Sequence, residues 1–169
     1  MTLWERVKGS DPRALAVVDG LGPFTGLGPH YSRRNPGGRT FTGVGQEIVL
    51  LSSCGKAVWA VVRQRTPTPR GKTVATHPTP FVWRNMLFRN LGAGLSSDLI
   101  RSATTETYRH WLLRYGTLPT ERLRTEVDTK RVQSRNPGYC YLCAGWERGP
   151  TKRGKLFLYA PQSIPEDTE

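Results

Sequence analysis

The sequence predicts a mixed α/β domain built around one sheet, and three observations carry that reading. Two β-rich runs, EIVLLSS and KAVWAVVRQR, flank Cys54-Gly55 in the pattern of a hairpin. Leu95, Leu99, Ala103, Thr107, Trp111 and Tyr115 recur at i, i+4 spacing, with Ile100, Tyr108 and Leu112 beside them, which is the period of one buried helix face. Strand-length and helical runs then alternate, an order satisfied by a sheet with helices laid against it.

Taken in order, residues 1–29 read as an N-terminal extension with one short apolar run (ALAVVDGL) and a turn-rich stretch (GPFTGLGP). SRRNPGGRTFTG continues as loop, with a tight turn at Asn35-Pro36-Gly37-Gly38. The hairpin follows. Residues 66–80, TPTPRGKTVATHPTP, carry four prolines and read as an exposed loop. FVWRNMLF is a strand, and the long helix runs from Leu95 until Gly116 and Pro119 stop it. RLRTEV is a short strand, QSRNPGYCYLCAGW a turn leading into a short helix, and GKLFLYAP a final strand before a tail at 161–169.

Composition narrows the class. A chain of 169 residues with 37 % apolar residues and five Trp can bury a core as a single domain, so disorder is excluded. No apolar run approaches the roughly 18 residues of a membrane-spanning helix. The N-terminal residues lack the pattern of a signal peptide, so the chain reads as cytoplasmic with reduced thiols. Lys plus Arg is 25 against 13 acids, a net charge of +12. The excess is mostly arginine, and guanidinium forks suit phosphate. Arg33, Arg34, Arg63, Arg65, Lys130, Arg131 and Arg135 are the candidate contacts to a nucleic acid.

The junction RNLGAG joins a strand to the long helix with two glycines. A glycine turn running into a helix N-terminus is a place for an anion: free N–H groups point outward and the helix dipole favours negative charge. Neither the three-glycine dinucleotide fingerprint nor the Gly-Lys-Ser/Thr end of a Walker loop is present.

RNLGAG fits Arg/Gln-x-x-Gly-x-Gly/Ala, and in that respect the chain resembles the GNAT acyltransferase superfamily. Further on, Tyr141, Gly145 and Trp146 are similar to that family's Tyr-x-x-x-Gly-Phe segment, and KLFLYAP to its last strand. The resemblance covers roughly residues 41–160. It implies a single GNAT-like domain with a splayed, mostly antiparallel mixed sheet whose cleft takes acetyl-CoA or a related acyl-CoA. The strand from Phe81 to Phe88 would bond the pantetheine arm. Leu87, Phe88, Arg89, Asn90, Leu91, Gly92, Ala93, Gly94 and Leu95 would hold the cofactor, with Arg89 adding a fork to the pyrophosphate. Tyr141 matches the position of the proton donor to the leaving thiolate, and Tyr139 is its rival.

A second resemblance concerns the acceptor. His30-Tyr31 upstream, the arginine-led glycine turn, Asp128 at a strand end and a downstream tyrosine are similar to the phage Mom group of GNAT-like enzymes, which modify the exocyclic amine of adenine in DNA. The resemblance makes His30, Tyr31, Arg89, Asp128 and Tyr139 or Tyr141 the active set and DNA the partner. Reaching a base amine means taking the base out of its stack, and Tyr31, Trp83, Tyr139 and Trp146 are candidates to stack on it. His30 reads as a base, a metal ligand or a plain hydrogen-bonding residue. Asp128 either orients the amine or caps the turn after its strand.

Two other readings stay open: an acetyltransferase for a small amine or a protein, and a nucleic-acid-binding module on a GNAT-like scaffold without catalysis. Cys140-x-x-Cys143 lacks a second ligand pair at matching spacing, so it reads as two small apolar residues rather than a zinc site, and no metal is assigned. No feature of the sequence specifies an oligomeric state.

Overall fold

The computed structural model describes residues 3–43, 45–66, 79–132 and 135–162. It has a mixed seven-stranded sheet with three α-helices: β1 (Trp4–Val7), α1 (Pro12–Asp19), β2 (Gln46–Ser52), β3 (Ala57–Arg65), β4 (Phe81–Asn90), α2 (Ser96–Tyr115), β5 (Arg124–Asp128), α3 (Tyr139–Cys143), β6 (Glu147–Lys152) and β7 (Lys155–Tyr159). The spatial order is β1-β2-β3-β4-β5-β7-β6. Among the described residues only β4 and β5 run parallel, because the chain between them crosses over through α2. None of the described helices is long and apolar enough to cross a membrane.

Strands β2, β3, β4, β5 and β7 and helix α2 fall where the sequence places them, and Gly116 ends α2 in the left-handed conformation with φ 79°. Three elements differ. The N-terminal extension carries a strand and a helix that its sequence did not announce: Trp4–Val7 pairs with Val49–Ser52, and α1 packs on the sheet. Asp11 caps α1 by accepting from the Arg13 N–H, and Pro12 supplies the first-turn φ. The third is β6, whose ERGPTK contains a Gly and a Pro, composition that a strand tolerates at the sheet edge where it lies. Of the loop at 66–80, residues 67–78 lie outside the described residues, as do 163–169 of the tail.

Two cores sandwich the sheet. On the α2 and α3 side, Ile100, Tyr108 and Trp111 of α2 pack with Trp59, Trp83 and Trp146; against α1 lie Val49, Leu51, Val58, Ala60 and Leu87. The threonines on the apolar face of α2 have a purpose that its period hides. Thr107 accepts the Trp59 indole N–H at 2.9 Å, and Thr104 accepts that of Trp146 at 3.2 Å. Those two buried indoles thus keep a partner for their one donor, whereas Trp83 Nε1 is buried without one among the described residues.

The sheet opens in the middle. β4 and β5 pair only at Arg84↔Arg124 and Asn85↔Thr125. On its other edge β4 carries a bulge: Ala60 faces Leu87 and Val61 faces Asn85, leaving Met86 without an opposite number. The Asn85 side chain fills the gap, donating to the Ala60 and Leu87 carbonyls at 2.9 and 3.0 Å. Beyond that point β4 and β5 diverge.

Candidate functional site

The glycine turn is organised by Asn90. Its Oδ1 accepts the N–H groups of Gly92 and Ala93 at 3.1 and 2.9 Å, and its Nδ2 donates to the Gly94 carbonyl and to Ser96 Oγ. Gly92 and Gly94 take φ of 106° and 146°, which L side chains rarely adopt, so glycine is required there by conformation. Leu95, read as the first residue of the apolar helix face, is instead the exposed N-cap, and no side chain caps the helix. The N–H groups of Gly94, Leu95, Ser96 and Ser97 therefore have no partner among the described residues.

Arg89 does not point toward that turn. Its Nη1 donates to the carbonyls of Val17, Val18 and Gly28 at 3.0, 3.2 and 2.7 Å, and Nη2 to that of Leu27 at 3.3 Å. The fork expected on a pyrophosphate instead fastens the C-terminus of α1 to the 27–28 loop. This corrects its role: the guanidinium meets carbonyls that the end of a helix leaves free. Arg33 is a second internal clamp rather than a surface contact to nucleic acid. Its Nε lies 2.7 Å from Asp19 Oδ1, both side chains are buried, and the Gly38 and Thr40 carbonyls take its remaining donors.

These two clamps set the position of His30 and Tyr31, which meet residues more than fifty positions away at the opening between β4 and β5. A small recess of about 180 Å³ there is lined by His30, Tyr31, Asn85, Phe88, Thr125 and Tyr141, among others. His30 Nδ1 accepts the Ser32 N–H at 3.2 Å and lies 2.7 Å from Ser32 Oγ, and its ring stacks on Tyr31 at 4.3 Å between centroids. Burial pushes the imidazole down to about 4, the Arg89 guanidinium pushes the same way, and the Phe88 carbonyl opposes them. His30 is neutral at pH 7. A base this weak, with its nitrogens engaged, positions its neighbour better than it removes protons.

Three tyrosines separate clearly. Tyr141 is 7 % exposed and donates to Asn85 Oδ1 at 2.6 Å, while Thr125 approaches the same oxygen at 3.4 Å. Burial drives its phenol far above the ordinary value, which makes it a reluctant acid. Tyr139 is 62 % exposed and stands outside both recesses. Tyr31 is 40 % exposed, and its phenol is raised by burial and then by the Asp128 carboxylate, with Arg131 acting in the opposite direction. Asp128 closes β5 and accepts the Lys130 N–H at 3.1 Å, so it caps its turn and still faces Tyr31. Trp83 and Trp146, named as stacking platforms, are buried in the core and cannot reach a base.

A much larger cleft, of about 730 Å³, adjoins the recess and shares Tyr31, Asn85, Met86, Leu87 and Glu126 with it. Arg34, Arg65, Arg84, Arg124, Arg131 and Lys155 line it, against two acids, Glu126 and Asp128. Of the basic residues picked from sequence, Arg33, Arg34, Arg65 and Arg131 line this cleft, Arg33 with its guanidinium already engaged by Asp19. Arg63 is held by Glu121 at 2.9 Å and lies over the Phe81 ring. Lys130 and Arg135 are exposed beyond β5. Arg84 and Arg124 escaped the sequence reading because they sit inside strands rather than in basic runs; Lys155 closes the run TKRGK but was not singled out. Asn85 escaped it as an ordinary amide in an apolar strand.

The thiols make no site: burial raises Cys140, Cys54 and Cys143 are exposed, and no group that could hold a metal occurs among the described residues. His77 lies outside the described residues. Compared with protein-family models, with curated proteins and with solved structures, the chain matches none. Fold and site together define an α/β domain with a splayed mixed sheet, a polar recess at the splay and an arginine-rich cleft beside it.

Proposed function

We propose that this chain is a GNAT-like transferase that uses an acyl-CoA type donor to modify an amine in nucleic acid, the exocyclic amine of adenine in DNA, in the manner of the Mom group it resembles. The observation that carries the reading is that His30, Tyr31, Asn85 and Tyr141 line one recess, while Asp128 lines the cationic cleft that shares Tyr31 and Asn85 with it. The splay between β4 and β5 and the glycine turn at the start of α2 support the same reading.

The residues present fit such a donor through backbone rather than through Arg89. The unpartnered N–H groups of Gly94, Leu95, Ser96 and Ser97 would take its phosphates, and the open edge of β4 past Leu87 would take its arm. When bound, the donor supplies the acyl group as an activated thioester. The chain's own residues do the rest. His30 and Tyr31 stack, and Tyr31 presents a phenol at the junction of recess and cleft, where it can donate a proton or face a base. Asp128 offers a carboxylate to the hydrogens of the amine. Asn85 and Tyr141 form a rigid wall whose hydrogen bonds are all satisfied.

The test is mass spectrometry of nucleosides from the DNA of cells expressing the protein, beside the Tyr31→Phe variant. A heavier deoxyadenosine that depends on Tyr31 supports the reading; unmodified nucleosides sink it. The cation excess in the cleft favours a polyanionic acceptor over a small amine or an acidic cleft for a protein lysine. A second reading has its own support. The internal use of Arg89 and the burial of Tyr141 suit a binding module without chemistry, which predicts DNA binding with no heat of CoA binding in calorimetry.

A further inference from the structure

We propose that Arg34, Arg84, Arg124 and Lys155 form a phosphodiester subsite on the floor of the large cleft, holding the backbone of the DNA strand whose base reaches Tyr31. The inference rests on the nucleic-acid acceptor proposed above and names the residues that recognise it.

Arg84 and Arg124 face each other in register across the one parallel strand pair, and both line the cleft. A single carboxylate serves three cations: Glu126 lies 3.1 Å from Arg124, 3.9 Å from Arg84 and 3.9 Å from Lys155. Only the first is hydrogen-bond distance. Arg34 adds a fourth cation, with no ion pair among the described residues. Burial lowers the pKa of Arg84, and Arg34 and Arg124 lower it further against the pull of Glu126. The Nε of Arg124 is buried without a hydrogen-bond partner.

Crowding that many guanidinium groups around one carboxylate costs free energy in the isolated chain, and an anion that accepts from several forks removes the cost. Phosphate is that anion, because its oxygens match the planar fork. The cleft is within the roughly 300–1,000 Å³ of ligand sites, so a nucleotide fits. Tyr31, on the cleft wall and still 40 % exposed, provides an aromatic face for a base; an acidic peptide has no use for that face.

The experiment is fluorescence anisotropy of a short fluorescein-labelled oligodeoxynucleotide, titrated at several salt concentrations with no donor present. Arg34→Gln, Arg84→Gln and Arg124→Gln should each weaken binding about 3- to 10-fold and flatten the slope of log K against log salt by about one. Arg109→Gln, which removes an exposed arginine on α2 paired with Glu106, should stay within about twofold of the parent chain. Glu126→Gln should tighten binding, since the competing carboxylate is gone. Arg34 has no ion-pair partner among the described residues, so its variant tests the subsite even where the strand variants fold poorly.

Cleft variants that behave like Arg109→Gln overturn the subsite. Displacement of the oligonucleotide by poly-glutamate as readily as by an unlabelled oligonucleotide at equal charge concentration overturns the phosphodiester assignment. The outcomes also separate the two proposals. A chain that binds DNA through these residues yet yields no modified adenine keeps the subsite and loses the reaction. Modification that continues in the cleft variants at unchanged affinity does the opposite.

Discussion

The guanidinium of Arg89 donates to the main-chain carbonyl of Gly28 at 2.7 Å, two residues before His30. That bond, with those to Val17 and Val18, ties the sheet, the end of α1 and the loop bearing His30-Tyr31 into one unit. Arg89→Ala should therefore cost about 2–4 kcal/mol in urea unfolding, since it strands several carbonyls at once. Arg89→Lys should recover little, because an ammonium cannot span the fork's acceptors. Unchanged stability combined with a loss of CoA affinity would restore the arginine to the pyrophosphate.

Arg33 and Asp19 make the same point with a buried ion pair. Arg33→Gln leaves the Asp19 carboxylate buried and short of partners, which costs about 3–5 kcal/mol. Its oligonucleotide affinity, measured on the folded fraction, should change less than that of Arg34→Gln next to it in sequence.

Gly20 ends α1 with φ 67°, and a Cβ there would stand 2.4 Å from the Gly28 carbonyl oxygen. Both faults come together in Gly20→Ala: a left-handed backbone costs about 1–2 kcal/mol, and the clash is with main chain that cannot rotate away. Thermal unfolding should show a loss above about 2 kcal/mol, with DNA modification falling as the loop carrying Tyr31 moves.

Tyr141 and Tyr31 should part company. Tyr141→Phe removes the donor to a buried Asn85 oxygen and should cost about 1–2 kcal/mol of stability. Tyr31→Phe removes a half-exposed hydroxyl, so stability should stay within about 0.5 kcal/mol while modification is lost. If the two variants exchange these phenotypes, the proton donor is Tyr141.

The imidazole of His30 titrates near 4 in the folded chain against about 6.5 unfolded. The unfolded state binds its proton first, so the contribution is fully present above pH 6.5 and is lost as pH falls toward 4. The size is at most about 3.4 kcal/mol. Urea unfolding at pH 7 and pH 4.5 should show this fall, and His30→Asn should flatten it. His110 is also lowered, by burial first, so the decisive quantity is the difference between the two chains.

What was legible came from period and punctuation. The hairpin β2–β3, the strand β4 and the helix α2 follow from alternation, from i, i+4 spacing and from Gly116. The short edge strands were not legible, since Trp4–Val7 has four residues and becomes a strand only by pairing with Val49–Ser52. At the site, His30, Tyr31, Asp128 and Tyr141 were named from the sequence; the fold puts His30, Tyr31 and Tyr141 on one recess and Asp128 on the adjoining cleft, which also reaches Tyr31. Asn85 was not, because nothing in FVWRNMLF says that a bulge will need its amide.

By itself, then, the sequence determined the order and type of the main elements, the glycine turn before α2 and the cationic balance of the chain. Those are properties of neighbours along the chain: side-chain period, backbone freedom and summed charge. Which arginine is a clamp and which is free was decided only by the tertiary structure. Arg33 and Arg34 are adjacent in sequence, yet one is buried against Asp19 and the other opens on the cleft. A guanidinium takes whatever acceptors lie within a few ångströms, and for Arg89 those acceptors come from more than sixty residues away.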